Sequence, residues 1–303
     1  MNSTKRFVVA IASGKGGTGK TTVATNLTRV VASNGYQVSY LDCDVEEPNG
    51  HIFLKPLIEK NLPVSIPVPQ VDESKCTVCG KCKDICQYSA IAVLGKTVLT
   101  FPNLCHGCGG CMLVCPSGAI TEVGREIGCV EEGFADGIRF VQGRLRVGEA
   151  MSPPLIRRVK QMLPDEDLAI IDAPPGTSCP VIQSVKGVDF VLLVTEPTPF
   201  GLHDLKLAVD MLKELGLGFG VVVNRADVGD KKVFEYCRNA GIDVLLSVPN
   251  DRRIAEAYSK GLLVVEAIPE YTSAFTKLFG TLQKRIGDRC AGKDGGENGA
   301  PNN

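Results

Sequence analysis

Two runs of cysteines carry the first chemistry in this sequence. Cys76, Cys79, Cys82 and Cys86 are spaced C-x2-C-x2-C-x3-C, and Cys105, Cys108, Cys111 and Cys115, followed by Pro116, repeat that spacing. The repeat reaches past the thiols, because CKDICQYSAIAV and CMLVCPSGAITEV align as one unit written twice. Three thiolates on a tight loop can hold three corners of an iron–sulfur cube, and the fourth opens a helical turn that points at the other cube. The ligands therefore cross: Cys76, Cys79, Cys82 and Cys115 form one set, and Cys105, Cys108, Cys111 and Cys86 the other. Gly80, Gly109 and Gly110 let the backbone wrap closely and aim amide N–H groups at sulfur. A zinc ribbon would instead need two C-x2-C pairs around one tetrahedral ion, not two triplets each followed by a fourth thiol.

The second chemistry is phosphate binding. Gly14, Lys15, Gly16, Gly17, Thr18, Gly19, Lys20, Thr21 and Thr22 contain G-x4-G-K-T. Its glycines expose amides to phosphate and the following helix adds its N-terminal dipole. Lys20 would reach the β- and γ-phosphates and Thr21 would ligate Mg²⁺. Asp172 closes an apolar run, the place from which a carboxylate binds Mg²⁺ through water.

The elements that must position these groups are legible. Phe7–Ala12 reads as a buried strand before the glycine loop, and Val23, Leu27, Val30 and Val31 form a helical stripe after it. Val38–Leu41 ends in Asp42-Cys43-Asp44, and Leu168–Ile171 ends in Asp172-Ala173-Pro174-Pro175-Gly176. Phe190–Thr195 and Gly220–Val223 are further near-continuous apolar runs, the pattern of parallel strands covered on both faces. The predicted fold class is α/β, a doubly wound and mostly parallel sheet with an inserted small α+β unit. Residues 1–60 and 126–290 form the α/β domain, and 61–125 form the cysteine insert. Pro63, Pro67 and Pro69 predict an extended, stiff linker over 61–72. Glu126–Val130 and Ile138–Val147 predict a hairpin or small sheet, returning to a helix that Ser152 and Pro153 begin. Phe275, Leu278, Phe279, Leu282 and Ile286 share one helical face, expected to pack on the sheet rather than on a membrane. The terminal AGKDGGENGAPNN, residues 291–303, has no apolar face and is expected to be disordered.

The cysteine segment, over about residues 70–123, resembles bacterial ferredoxins with two 4Fe-4S clusters. Gln87 departs from that pattern, which has Pro after the fourth Cys; Pro shapes the turn and is not a ligand. The string GKGGTGKTT resembles the deviant P-loop of the MinD/ParA/Mrp superfamily of ATPases, Lys15 after the first Gly being its mark. That resemblance implies that Lys15 crosses a dimer interface to the partner's phosphates. It also implies that Asp44 positions the attacking water and that Asp42 supports the magnesium shell. Asp172 falls in the stretch resembling Walker B and the second switch. Asn224 and Arg225 fall at the family's adenine-contacting position, and Pro249 and Asp251 in the loop that closes over the base. The combination is similar to the subgroup of MinD-superfamily ATPases carrying an inserted ferredoxin domain. The implied cofactors are ATP or ADP, Mg²⁺ and two 4Fe-4S clusters, and the implied catalytic residues are Lys15, Lys20, Asp44 and Asp172.

Composition narrows the partners. With 303 residues, 22% charged and a net charge of −1, the chain has no basic excess for nucleic acid or an anionic membrane. No apolar run approaches the about 18 residues of a membrane helix, and Phe7–Ala12 is too short for a signal peptide. A cytoplasmic location without a stable membrane anchor is expected, and there 13 Cys indicate metal or redox chemistry, not disulfides. The expected assembly is a homodimer, or a heterodimer with a paralogue, serving an acceptor metalloprotein. ATP binding would close the dimer, and hydrolysis would gate electron or cluster delivery, as in the related nitrogenase iron protein. The alternative is a MinD-like positioning ATPase with structural or redox-sensing clusters. Cys43, Cys129, Cys179, Cys237 and Cys290 lie outside the repeat. Of these Cys179, at the start of an expected helix where a thiol's pKa falls, is by its resemblance to a switch-linked cysteine of the nitrogenase iron protein a candidate for a metal or cluster shared between subunits, with Cys43 the nearby second thiol; the alternative is an inert buried thiol.

Overall fold

The computed structural model describes residues 7–163 and 168–293, with side chains as far as residue 287. The chain opens with β1 (Val8–Ala12), a glycine loop and α1 (Lys20–Ser33). Next come β2 (Val38–Asp42), the short α2 (Gly50–Leu54) and the long β3 (Leu57–Val71). The cysteine unit holds α3 (Lys81–Ile85), β4 (Ile91–Leu94), β5 (Thr97–Thr100) and α4 (Gly110–Leu113). β6 (Ile120–Ala135) and β7 (Ile138–Leu145) lead back to α5 (Pro153–Gln161). Alternation then resumes with β8 (Leu168–Asp172), α6 (Cys179–Val185), β9 (Phe190–Thr195), α7 (Pro199–Glu214) and β10 (Phe219–Asn224). The last elements are α8 (Lys232–Asn239), β11 (Val244–Val248), α9 (Arg252–Ser259), α10 (Val264–Ala267) and α11 (Thr272–Lys293).

One sheet has the order β11-β10-β9-β1-β8-β2-β7-β6-β3, and β4–β5 is a separate hairpin. From β11 to β7 every neighbouring pair is parallel, whereas β6 and β3 add antiparallel strands at one end. β1, β2, β8 and β9 are buried along their whole length, which is why each reads as an unbroken apolar run. One apolar layer, on the α1 and α11 side, takes in Phe275, Leu278, Phe279, Leu282 and Ile286 together with Leu27 and Val31. The C-terminal stripe is therefore core. The helix carrying it continues to Lys293, through the first residues of the expected tail, and 294–303 lie outside the described residues. Among the described residues no helix is long and apolar enough to cross a membrane.

The expected linker over 61–72 is extended, but as a strand. Leu57–Val71 pairs with β6 nearly throughout, from Leu57↔Phe134 to Val71↔Ile120. Pro63, Pro67 and Pro69 are tolerated because β3 is the outermost strand and one of its edges needs no N–H donors. Asp42 is in register with Gln142, Gln142 with Glu131, and Glu131 with Asn61. The β3–β6 ribbon therefore overshoots the carboxyl edge of the parallel strands. From Asn61 to Val71 it runs roughly 30 Å at about 3.3 Å per residue, carrying the cysteine unit at its tip.

Candidate nucleotide and cysteine-lined sites

The glycine loop lies between β1 and α1, as a phosphate cradle requires. Gly17 and Gly19 have φ of 79° and 91°, and a Cβ on Gly19 would lie 2.5 Å from Asn224 Nδ2. A Cβ on Gly14 would meet the Asp204 carbonyl oxygen at 2.5 Å, so this glycine lets α7 approach the loop. Gly16, Gly17, Gly19, Lys20, Thr21 and Thr22 line a cavity of about 440 Å³. Asp44, Asn224, Arg225, Pro249 and Asp251 line the same cavity. Gly14, Lys15, Thr18 and Asp172 stand behind or beside this lining. Thr18 Oγ1 is buried without a hydrogen-bond partner, while its carbonyl accepts from Asn224 Nδ2 at 2.9 Å.

Lys20 is the hub. Its Nζ donates to Asp172 Oδ1 at 2.5 Å and to Asp44 Oδ2 at 3.5 Å. Burial favours its neutral form, but Asp172 and Asp44 more than offset this and hold its pKa above the ordinary lysine value. Asp172 is fully buried, and its Oδ2 accepts from Tyr40 Oη at 3.0 Å. Burial, opposed by Lys20 and reinforced by Asp172, pushes the Asp44 carboxyl up to about 6. The loop thus holds a cation and two carboxylates preassembled where phosphate and Mg²⁺ would exchange for them.

Asp42, expected to support the magnesium shell, is here bonded to backbone amides. Its Oδ1 accepts from the Asp44 amide, and its Oδ2 from the Asn49 and Gly50 amides at 3.2 and 2.9 Å. Those bonds fold the loop after β2 back on itself and start α2, so Asp42 is a loop organiser. Burial and Asp172 push its carboxyl upward. Asp251 lines the cavity as the N-cap of α9, accepting from the Arg253 guanidinium, from Arg253 N and from Tyr271 Oη, and these partners, the guanidinium first, hold it at about 2. Lys15 Nζ lies 3.9 Å from Glu196, which Arg225 also approaches at 3.1 Å. Glu196 gave no sequence signal: it follows an apolar strand without a motif. Cys179 begins α6, as read, and is exposed rather than buried, but Cys43 is fully buried, and burial drives its thiol strongly upward. A buried neutral thiol is a core residue, so the second partner imagined for Cys179 is not available. Cys290 falls beyond the described side chains.

The cysteine unit encloses two cavities at the ribbon tip. Cys76, Cys79, Cys82 and Cys115 line one, and Cys86, Cys105, Cys108 and Cys111 line the other. Those are the crossed sets read from spacing. Each set also receives backbone N–H donation onto sulfur: Val78 to Cys76 and Ala119 to Cys115 in one, Gly107 to Cys105 and Ala90 to Cys86 in the other. Val78 adopts φ 57° where its repeat counterpart is Gly107, which has φ 66°. Among the described residues no three His, Cys, Asp or Glu are placed to hold a single metal ion.

The description "CobQ/CobB/MinD/ParA nucleotide binding domain" matches residues 9–264. An uncharacterized protein of Methanocaldococcus jannaschii is 34% identical over 92% of this chain and 97% of its own length. The iron-sulfur cluster carrier protein of Pyrococcus horikoshii is 26% identical over 86% of this chain and 79% of its own. The cell division ATPase MinD of Pyrococcus furiosus superposes with a TM-score of 0.58 at 23% identity, covering 92% and 98% of the two chains, a likeness of fold. A glycine loop with its lysine between two carboxylates, at the carboxyl edge of a parallel sheet, agrees with that match, and the chain belongs to the CobQ/CobB/MinD/ParA nucleotide-binding family.

Proposed function

We propose that this chain is an ATP-hydrolysing iron–sulfur protein in which a nucleotide-driven dimer switch gates electron transfer or cluster delivery to an acceptor protein. The observation that carries the proposal is the attachment of the cysteine ribbon to the phosphate site. Val45, next to Asp44, accepts the Leu145 N–H at 2.8 Å through its carbonyl. Its side chain packs over Gly143, where a Cβ would lie 2.4 Å from Val45 Cγ1. β7 then pairs with β6, which runs to the ribbon tip. The Asp42-organised loop leads through α2 into β3, so both ribbon strands connect to the loop that carries Asp44.

In this reading Lys20 exchanges its carboxylate partners for the β- and γ-phosphates, and Thr21, with Asp172 and Asp44 nearby, would hold Mg²⁺. Mg²⁺ would neutralise charge developing on the phosphoryl oxygens. Asp44, released from Lys20, orients the attacking water, and its altered position moves Val45 and with it β7. Lys15 leaves Glu196 for the phosphates of a second copy or paralogue. The two thiol sets would each hold a 4Fe-4S cluster, which supplies one-electron chemistry. Lys160 ties α5 to the C-terminal end of α6 by donating to the Gln183, Ser184 and Lys186 carbonyls, a second link from the β7 side to the loop after Asp172.

The test is the rate at which a one-electron dye oxidises the reduced, anaerobically prepared protein, with ADP and with a non-hydrolysable ATP analogue. A nucleotide-dependent rate that Lys15→Ala abolishes is expected. Identical rates in both nucleotide states would overturn the gating. A cluster-free chain that still localised normally would favour the positioning role instead.

A further inference from the structure

The repeat makes each cysteine cavity a control for the other. The backbone N–H donations onto sulfur match pairwise, with Val78 answering Gly107 and Ala119 answering Ala90. The side chains around them do not match. Two residues after Cys115 stands Ser117, whose Oγ lies 3.7 Å from Cys115 Sγ. Two residues after Cys86 stands Tyr88, whose ring instead stacks on His106, with centroids 3.5 Å apart and planes at 6°. The first cavity is lined by the hydroxyl residues Thr77 and Ser117 and by no carboxylate. The second is lined by Glu122, the Tyr88–His106 pair, Pro67 and Pro69. Hydrogen bonds to cluster sulfur and the net charge nearby set reduction potential. A hydroxyl donating to a ligand thiolate favours the added electron, and a nearby carboxylate opposes it. Both differences act in the same direction.

We infer that Ser117 is a tuning residue that makes the cluster held by Cys76, Cys79, Cys82 and Cys115 the easier of the two to reduce. The inference rests on the cluster-binding reading above. Electrons entering the unit at equilibrium then reside first on this cluster, and the Glu122-lined cluster is the stronger reductant. Glu122 is exposed, so solvent weakens its field and its share is the smaller one.

The experiment is an anaerobic redox titration of the reconstituted full chain followed by electron paramagnetic resonance. It compares wild type with Ser117→Ala, Ser117→Thr and Glu122→Gln. Wild type should show two distinct potentials. Ser117→Ala should lower the higher one and narrow the gap, and Ser117→Thr, which keeps the hydroxyl, should preserve it. Glu122→Gln should raise the lower potential by a smaller amount. With about eight iron atoms per chain, a Ser117→Ala variant that moves only the lower potential, or neither, overturns this inference and leaves cluster binding standing. A chain that takes up no iron overturns the cluster reading, and this inference with it.

Discussion

The nucleotide end and the cysteine end of this molecule are held together by different means. Around Lys20 the phosphate loop sits on β1, β8 and β2, with extensive apolar layers on both faces of the sheet. Its charged groups find protein partners without any ligand: Lys20 on Asp172 and Asp44, Asp42 on three amides. At the ribbon tip the local core is Cys82, Ile91, Val98, Cys111 and Ile120, and two of those five are thiols of the expected ligand sets. The helices there, α3 and α4, are single turns, too short to be stable alone. On the proposed reading, a unit with so little apolar burial would be held by its clusters, as other small metal-binding domains are by their metals. One end of the ribbon is a preorganised receptor, and the other, on that reading, is a fold that a cofactor would complete.

The sharpest way to break this comparison is to remove iron. Anaerobic chelation should abolish amide-exchange protection across residues 72–119 while β1, α1 and β8 remain protected. Protection retained at the tip would show that the thiols form a packed core by themselves. Within the same contrast, Cys86→Ser should disturb the cluster whose other ligands are Cys105, Cys108 and Cys111, and Cys115→Ser the one held by Cys76, Cys79 and Cys82. Spectroscopy showing loss confined to the same-run cluster would refute the crossing.

Next in size is the reverse perturbation. Lys20→Ala removes the cation of the phosphate loop and leaves Asp172 and Asp44 without their positive partner. Nucleotide affinity should fall at least about a hundredfold, corresponding to about 3 kcal/mol, with iron content unchanged. Lys15→Ala, whose partner Glu196 lies 3.9 Å away, should keep ADP affinity within about twofold, a change worth less than about 0.5 kcal/mol, and lose hydrolysis. Equal loss of ADP binding in the two variants, measured by calorimetry, would remove the cross-dimer role from Lys15.

A smaller effect tests whether the two ends communicate. Gly143→Ala would place a methyl 2.4 Å from Val45 Cγ1 and 2.9 Å from Val159 Cγ2. Overpacking of this kind costs about 1–3 kcal/mol, and here it should displace the loop carrying Asp44. Dye oxidation of the clusters should then lose its nucleotide dependence while about eight iron atoms per chain remain bound. Unchanged gating would mean that the signal does not pass through β7.

The smallest expected effect is electrostatic. Asp44 titrates at about 6 in the folded chain against 3.8 for an unperturbed aspartate. Between those values the folded state holds more protons than the unfolded one, so this group's contribution to stability falls as pH rises from about 4 to about 6. Nucleotide-free Asp44→Asn should lose that slope, a change of a few degrees in Tm at most. Identical pH profiles for the two proteins in thermal unfolding would contradict the perturbed carboxyl.

By itself the sequence determined the parallel core, the phosphate loop and both thiol sets, because those depend on local rules. Strands buried on both faces must read as continuous apolar runs, and Phe190–Thr195 was legible to the residue. Ligand spacing is likewise a local constraint, so Cys76 and Cys115 could be assigned together before any fold was known. Tertiary structure decided what depends on pairing across the chain. Pro63, Pro67 and Pro69 read as a linker because no local signal distinguishes a free extended segment from an edge strand; only the register with β6 does. Asp42 and Asp44 are separated by one residue in sequence, yet three amides claim Asp42 while Asp44 faces the cavity. Glu196 and the Val45–Leu145 bond were invisible for the same reason, since each partner lies far away along the chain. The apolar pattern specifies which surfaces must be buried, and the sheet order settles which neighbours bury them.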